Sequence, residues 1–193
     1  MSLFVVGVDL GQAQDYTAIC VVEARGTEYL LRHLERLALG TLYPRIVQRV
    51  EEIVRRLPSA DFQLAVDATG VGQPVVDLLE QAGLEPVGVI ITGGDTVQRE
   101  GRRLRVPKRD LVAVLTIVFQ AGQLKIAETL PLAGVFAKEL LSFKVKIDVR
   151  TAHDTYGAWR EGEHDDLVLA VAIAVWTARS ATGRQISVGA VEL

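Results

Sequence analysis

A chain of 193 residues, 49% hydrophobic and 23% charged, can bury a sizeable core in one domain, which excludes a disordered or fibrous protein. A net charge of −3 excludes attraction to nucleic acid by the surface as a whole, so any such binding must rest on a local patch. The single cysteine, Cys20, lies inside an apolar run and reads as a small buried hydrophobe, which excludes a disulfide framework and a cysteine metal site. Without a signal-peptide pattern, or the ~20 consecutive apolar residues that a bilayer span needs, the chain reads as cytoplasmic, with no membrane partner.

Residues 3–8 form a near-continuous apolar, β-branched run, as expected of a strand covered on both faces. A turn at 11–15 leads to a second strand at 16–23. A second turn, at 25–27, leads to a third strand at 28–35, so the first three strands form an antiparallel meander. Residues 43–57 place Ile46, Val47, Val50, Ile53, Val54 and Leu57 at helical spacing, and Pro58 ends that helix. A fourth strand runs up to Asp67, a helix spans 73–81 with Gly83 as its C-terminal cap, and a fifth strand covers 86–91. Such a strand–helix–strand unit is expected to be parallel and right-handed.

The polar segment 95–106 is open between a hairpin and a mobile arm. Pro107 starts a helix over 108–121, followed by a short strand at 124–126 and a helix at 130–141. Alternation over 143–149 predicts a strand with Lys144, Lys146 and Asp148 on its wet side. A polar loop containing His153, Tyr156, Trp159 and Gly162 precedes a last helix, and residues 180–193 read as a frayed tail. The expected architecture is α/β: one domain over residues 5–179, with a mixed five-stranded sheet (antiparallel meander plus parallel strands) and helices on both faces.

The last helix is the most informative stretch. Asp165 and Asp166 stand directly before ten consecutive apolar residues, 167–176. The run is apolar all round and suits a helix buried in a core. The two acids fit its cap and first turn, where unpaired N–H groups favour negative charge, and helix capping alone would explain them. Asp9 and Asp67, however, each end an apolar strand, so three separate elements deliver a carboxylate where an apolar run begins or ends. With adjacent strands and the helix packed across them, these acids would converge. The usual relief of their repulsion is a hard cation bound through oxygen.

With the acids so placed, the pattern resembles the RNase H-like nuclease fold, and more closely the C-terminal nuclease domain of phage terminase large subunits. The matching stretches are Gly7-Val8-Asp9, Asp15-Tyr16-Thr17-Ala18, Val66-Asp67-Ala68-Thr69-Gly70-Val71-Gly72, Val106-Pro107-Lys108-Arg109-Asp110-Leu111, Lys138-Glu139-Leu140 and His164-Asp165-Asp166-Leu167. They follow the family's order over roughly residues 5–178. Each stretch alone is weak; the ordered set is more specific. The resemblance implies a metal-dependent endonuclease acting on double-stranded DNA. Its implied partners are a packaging ATPase domain, a portal or a small terminase subunit. The chain departs from the family in having no Gly-x-x-x-x-Gly-Lys-Ser/Thr phosphate loop, so it reads as an excised nuclease domain or as a stand-alone or degenerate relative.

The residues suit that chemistry in their own right, because two Mg²⁺ or Mn²⁺ ions ~3.5–4 Å apart can activate a water and stabilise the leaving oxygen of a phosphodiester. Asp9 is the candidate bridging carboxylate. By analogy with the family, Asp67 would hold one ion and Asp166 the other, with Asp165 a ligand or its neighbour. Asp15 reads rather as a turn cap, and His164 as a loop residue. Gly70 and Gly72 fit a phosphate contact or a tight strand-to-helix turn equally well.

Six of the 21 basic residues, Arg99, Arg102, Arg103, Arg105, Lys108 and Arg109, fall within eleven positions, opposed only by Glu100. A charge run is ordinarily a solvated surface; beside a carboxylate site it would hold the DNA backbone, and Lys144 and Lys146 could extend it. Two rivals remain at this stage. An actin-like or sugar-kinase-like nucleotide-binding fragment would explain Asp9-Leu10-Gly11 and Asp67-Ala68-Thr69-Gly70 as phosphate loops, although such proteins duplicate this fold. A non-catalytic DNA-binding module would keep the acids for structure.

Overall fold

The computed structural model describes residues 2–11, 15–70, 72–150 and 165–183. The expected polar loop before the last helix, with His153, Tyr156, Trp159, Gly162 and His164, lies outside the described residues, as do Val71 and most of the expected tail.

Eight strands form one mixed sheet: β1 (Ser2–Asp9), β2 (Ala18–Arg25), β3 (Glu28–Arg36), β4 (Phe62–Asp67), β5 (Pro86–Thr92), β6 (Gln98–Glu100), β7 (Arg103–Pro107) and β8 (Leu124–Ile126). Their order is β6-β7-β5-β4-β1-β2-β3-β8. The expected meander is present, with β2 antiparallel to both β1 and β3. So is the expected parallel unit, with β4 parallel to β1 and to β5.

The strand count is larger than the five expected. A hairpin, β6–β7, extends one edge through β5, and β8 extends the other through β3. β8 is the short strand expected at 124–126 and β6–β7 the hairpin alternative for the polar segment; what the sequence did not show is that both join this sheet, because pairing partners lie far apart in the chain.

Five helices cover the sheet: α1 (Tyr43–Arg55), α2 (Gly72–Gln81), α3 (Lys108–Gln120), α4 (Ala133–Arg150) and α5 (Asp166–Ala181). α2 ends as expected, with Gly83 at φ 79° and the Leu84 N–H donating back to Leu79 O at 3.0 Å. The expected strand over 143–149 is instead the second half of α4. An alternating run of seven residues also fits a helix, and the preceding turns propagate through it at little cost.

The helices form two layers. α1 and α2 pack on one face, where Ile46, Val50, Val75 and Leu79 meet Phe4, Val6, Val8, Leu64 and Val66. α5 packs on the other, against β1, β2 and β4, and is itself covered by α3 and α4. That double cover explains its all-round apolar sequence: twelve of its sixteen residues are buried. α5 also lies unusually close to the sheet. A Cβ on Gly7 of β1 would stand 2.3 Å from Ala170 O and 2.9 Å from Ala174 Cβ. Among the described residues, no helix is long and apolar enough to cross a membrane.

Candidate active site

Side chains alternate between the faces of a strand, so neighbours identify the face. In β1, Val6 and Val8 join the α1/α2 layer, which leaves Gly7 and Asp9 facing α5. In β4, Leu64 and Val66 face α1/α2, while Ala65 and Asp67 face α5. β1 and β4 are parallel with Val8 opposite Val66, so Asp9 and Asp67 end adjacent strands at the same sheet edge. α5 begins there: Asp165 is its N-cap residue and Asp166 its first helical residue. The Asp165 side chain makes no capping hydrogen bond, although its carbonyl accepts from Leu169 N–H at 2.9 Å.

Asp9, Asp67 and Asp166 are 8%, 7% and 4% exposed, so three carboxylates at this edge have lost nearly all contact with water. Burial pushes the Asp9 carboxyl well above its usual range, and the charges of Asp67, Asp165 and Asp166 push it the same way, as does a hydrogen bond with Asp67. Asp67 is oriented from behind by the Thr69 N–H, which donates to its Oδ1 at 2.8 Å.

Two side chains not singled out as site residues in the sequence complete the edge. Arg36, the last residue of β3, lies opposite Ala18, which lies opposite Asp9. Its Nε–H donates to Asp166 Oδ2 and its Nη2–H to Glu139 Oε1 from α4. The guanidinium also stacks 5.2 Å from the centroid of the Tyr16 ring. Burial raises the Glu139 carboxyl to about 7; Arg36 opposes this and the Asp166 charge adds to it. Glu139 was visible in the sequence only within one of the family-like stretches. Arg36 carried no local signal, because only the register across three strands brings it to the acids.

The remaining candidates fall elsewhere. Asp15 lies beside Gly11, whose N–H donates to Thr17 Oγ1 at 3.2 Å and on which a Cβ would stand 2.2 Å from Asp15 O. A Cβ on Gly72 would stand 2.1 Å from Asp67 O, so Gly72 serves a tight strand-to-helix turn.

The basic run is divided by the sheet. Leu104 and Val106 enter the α5 layer, so Arg103 and Arg105 project to the opposite face; there Arg103 borders a groove with Val76 and Glu80 of α2. Arg102 pairs with Glu85 at 2.8 Å, and the Arg99 Nε–H donates to Gly101 O at 3.2 Å. Lys108 and Arg109 open α3 at the end of β7 that follows the acid edge, and Arg109 Nη1 lies 2.5 Å from Asp95 Oδ1. Lys144 and Lys146 lie in the second half of α4.

The donors gathered here among the described residues are carboxylate oxygens, which suit Mg²⁺ or Mn²⁺ rather than a soft metal. Among the described residues, however, no three acidic, His or Cys side chains are arranged as a ready metal cage. Asp9 is turned to Asp67, and Asp166 to Arg36.

A five-strand core in the order β5-β4-β1-β2-β3, with β2 antiparallel, defines the RNase H-like α/β class. Within that class the fold is that of terminase nuclease domains. The large terminase nuclease of thermophilic phage G20c, in a crystal structure with bound magnesium, is 21% identical over 90% of this chain and 80% of its own, with a TM-score of 0.59. The human cytomegalovirus terminase nuclease domain, manganese-soaked and inhibitor-bound, is 14% identical over 90% and 82% of the two chains, with a TM-score of 0.56. The large terminase of a second thermophilic bacteriophage is 12% identical over 90% of this chain, with a TM-score of 0.60, and this chain spans only 39% of its length. No protein-family model and no curated protein matches the chain.

Proposed function

We propose that the chain is a divalent-metal-dependent endonuclease that hydrolyses DNA phosphodiester bonds as the nuclease part of a phage DNA-packaging terminase. The observation that carries this reading is the delivery of Asp9, Asp67 and the Asp165/Asp166 pair, by two strands and a helix start, to one face of one sheet edge. The magnesium and manganese in the related nuclease structures support the choice of cation. Double-stranded DNA is the proposed substrate. A packaging ATPase domain, portal or small terminase subunit is the proposed company, in keeping with the greater length of the second bacteriophage's large terminase.

In this reading Asp9, Asp67 and Asp166 would hold the metal, with Asp165 a further ligand or its neighbour. Metal bound there would supply a nucleophilic water and stabilise the leaving oxygen. The chain's own residues do the rest. Thr69 N–H keeps Asp67 aimed at the site. The missing side chain of Gly7 and the small one of Ala174 let α5 lie close enough for its first turn to reach the acids.

The test is conversion of supercoiled plasmid to nicked and linear forms. Wild type should cut with Mn²⁺ and stop with EDTA. Asp67→Asn should cut at least about 10²-fold more slowly, as expected for loss of a group that places the ions. Equal cutting with and without EDTA, or by Asp67→Asn, would overturn the site.

The divided basic run gives a second expectation. Lys108→Ala with Arg109→Ala should weaken duplex binding and lower the slope of log K against log salt by about 1–2, while Arg102→Ala should leave the slope unchanged. Fluorescence anisotropy at several salt concentrations reads both. Equal slopes for all three proteins would remove α3's start from the DNA path.

A further inference from the structure

Arg36 stands at the acid edge but has no part in the hydrolysis described above. Its guanidinium side chain is 16% exposed and bridges carboxylates from two helices, Asp166 of α5 and Glu139 of α4. The planar fork suits that task, since its N–H groups diverge and each meets a different acid. Glu139 is nine-tenths buried. The Leu167 N–H lies near this carboxylate, yet its Oε2 is buried with no hydrogen-bond partner among the described residues. A buried carboxylate oxygen lacking a donor is costly, and one on an acid that shares the Arg36 guanidinium with Asp166 is a ready ligand for a hard cation.

The Asp166 oxygen that receives the Arg36 Nε–H cannot also face a dication while the guanidinium lies between them. The other half of the site differs. The charges pressing on Asp9 are those of Asp67, Asp165 and Asp166, all negative, so an ion arriving beside Asp9 relieves repulsion directly.

We infer that Arg36 is a built-in counter-cation for the Asp166–Glu139 half of the site, that a divalent ion enters this half only by displacing it, and that Glu139 then serves as a further ligand. This rests on the metal-dependent reading above. Arg36 is thereby a positioning residue: it keeps the two helix-borne acids together and makes loading of the second ion the harder step. Tyr16, already under the guanidinium, gives the displaced group a surface to remain on.

The test is Mn²⁺ binding to the EDTA-treated, dialysed chain by isothermal titration calorimetry, with electron paramagnetic resonance to detect a spin-coupled Mn²⁺ pair. Wild type should bind one ion about tenfold or more tighter than a second. Arg36→Gln should tighten the second event about tenfold, and the coupled pair should form at correspondingly lower Mn²⁺. Adding Glu139→Gln to that variant should cancel the gain. Arg36→Lys keeps the charge but has no fork to bridge both acids, so it should give a smaller gain of about two- to threefold; it decides the matter if Arg36→Gln does not fold.

A second affinity within about twofold of wild type in the folded variants, or weakened by them, would overturn the inference, as would two equal sites in wild type. Tight Mn²⁺ binding undiminished in Asp9→Asn, or no Mn²⁺ binding to any of the proteins, would instead overturn the metal-dependent function.

Discussion

Replacing Asp9 by Asn is expected to abolish cutting while making the EDTA-treated protein more stable at pH 8. The two effects have one cause. Asp9 is buried among Asp67, Asp165 and Asp166, and its carboxyl is held well above its usual range. A group whose protonation is favoured by folding contributes stability that is fully present below its unfolded range, and that contribution is lost as pH rises. Asn has Asp9's shape, carries no charge, and can still donate to Asp67. At pH 8 the variant should therefore gain about 1–3 kcal/mol, the scale of an uncompensated buried charge, and by about pH 4, near the unfolded carboxyl's own range, most of that gain should vanish.

Glu139, raised to about 7, loses stability with the same sign in both proteins, so the difference between them isolates Asp9. Mn²⁺ should reverse the order, because a ligand that binds only the folded state stabilises it by mass action and the variant lacks one of the carboxylates proposed to hold the ion. Cutting should fall by at least about 10²–10³-fold. Urea titrations at the two pH values, with and without Mn²⁺, read the stability effects. A variant less stable than wild type in EDTA at pH 8 would mean that the acids do not crowd one another as described.

Gly7→Ala is expected to unseat α5 from the sheet. The added Cβ would lie 2.3 Å from Ala170 O, 2.9 Å from Ala174 Cβ and 3.0 Å from Cys20 Sγ. The first of these is helix backbone, which cannot rotate away as a side chain can, so α5 must lift off β1. Overpacking of this kind costs about 3 kcal/mol or more, against which the intrinsic gain of Ala over Gly, at most ~1 kcal/mol, is small. The unfolding midpoint should drop by about 6–12 °C for a chain of this size.

Gly88→Ala is the control. Its Cβ would meet Ala68 Cβ at 3.4 Å, an ordinary contact, and stability should change by less than about 1 kcal/mol. In Gly7→Ala, cutting should fall further than stability alone explains, since the first turn of α5 carries Asp165 and Asp166. A midpoint for Gly7→Ala within a degree or two of wild type would show that the helix is not seated on the strand as described.

The sequence by itself determined the elements whose signals are local. Asp9 and Asp67 could be placed at strand ends because each follows a continuous apolar run. The buried nature of α5 was legible because ten apolar residues without a polar face leave no side for water. The meander and the parallel unit followed from short turns and one crossover. The ordered stretches then pointed to a fold that the solved structures share.

What only the tertiary structure decided were pairings between residues far apart in the chain, on which no period bears. Arg36 and Asp166 are 130 residues apart and Arg36 and Glu139 are 103 apart; they meet because β1, β2 and β3 align in register and α4 packs against α5. The basic run read as one arm in sequence, but strand alternation sends Arg103 and Arg105 to one face while α3 carries Lys108 and Arg109 from the end of β7. Residues 143–149 alternate like a strand and belong to a helix, because the choice between those periods over seven residues is made by what the segment continues from. A side chain's facing is a property of the sheet and its register, and a single strand's sequence states only that neighbours face opposite ways.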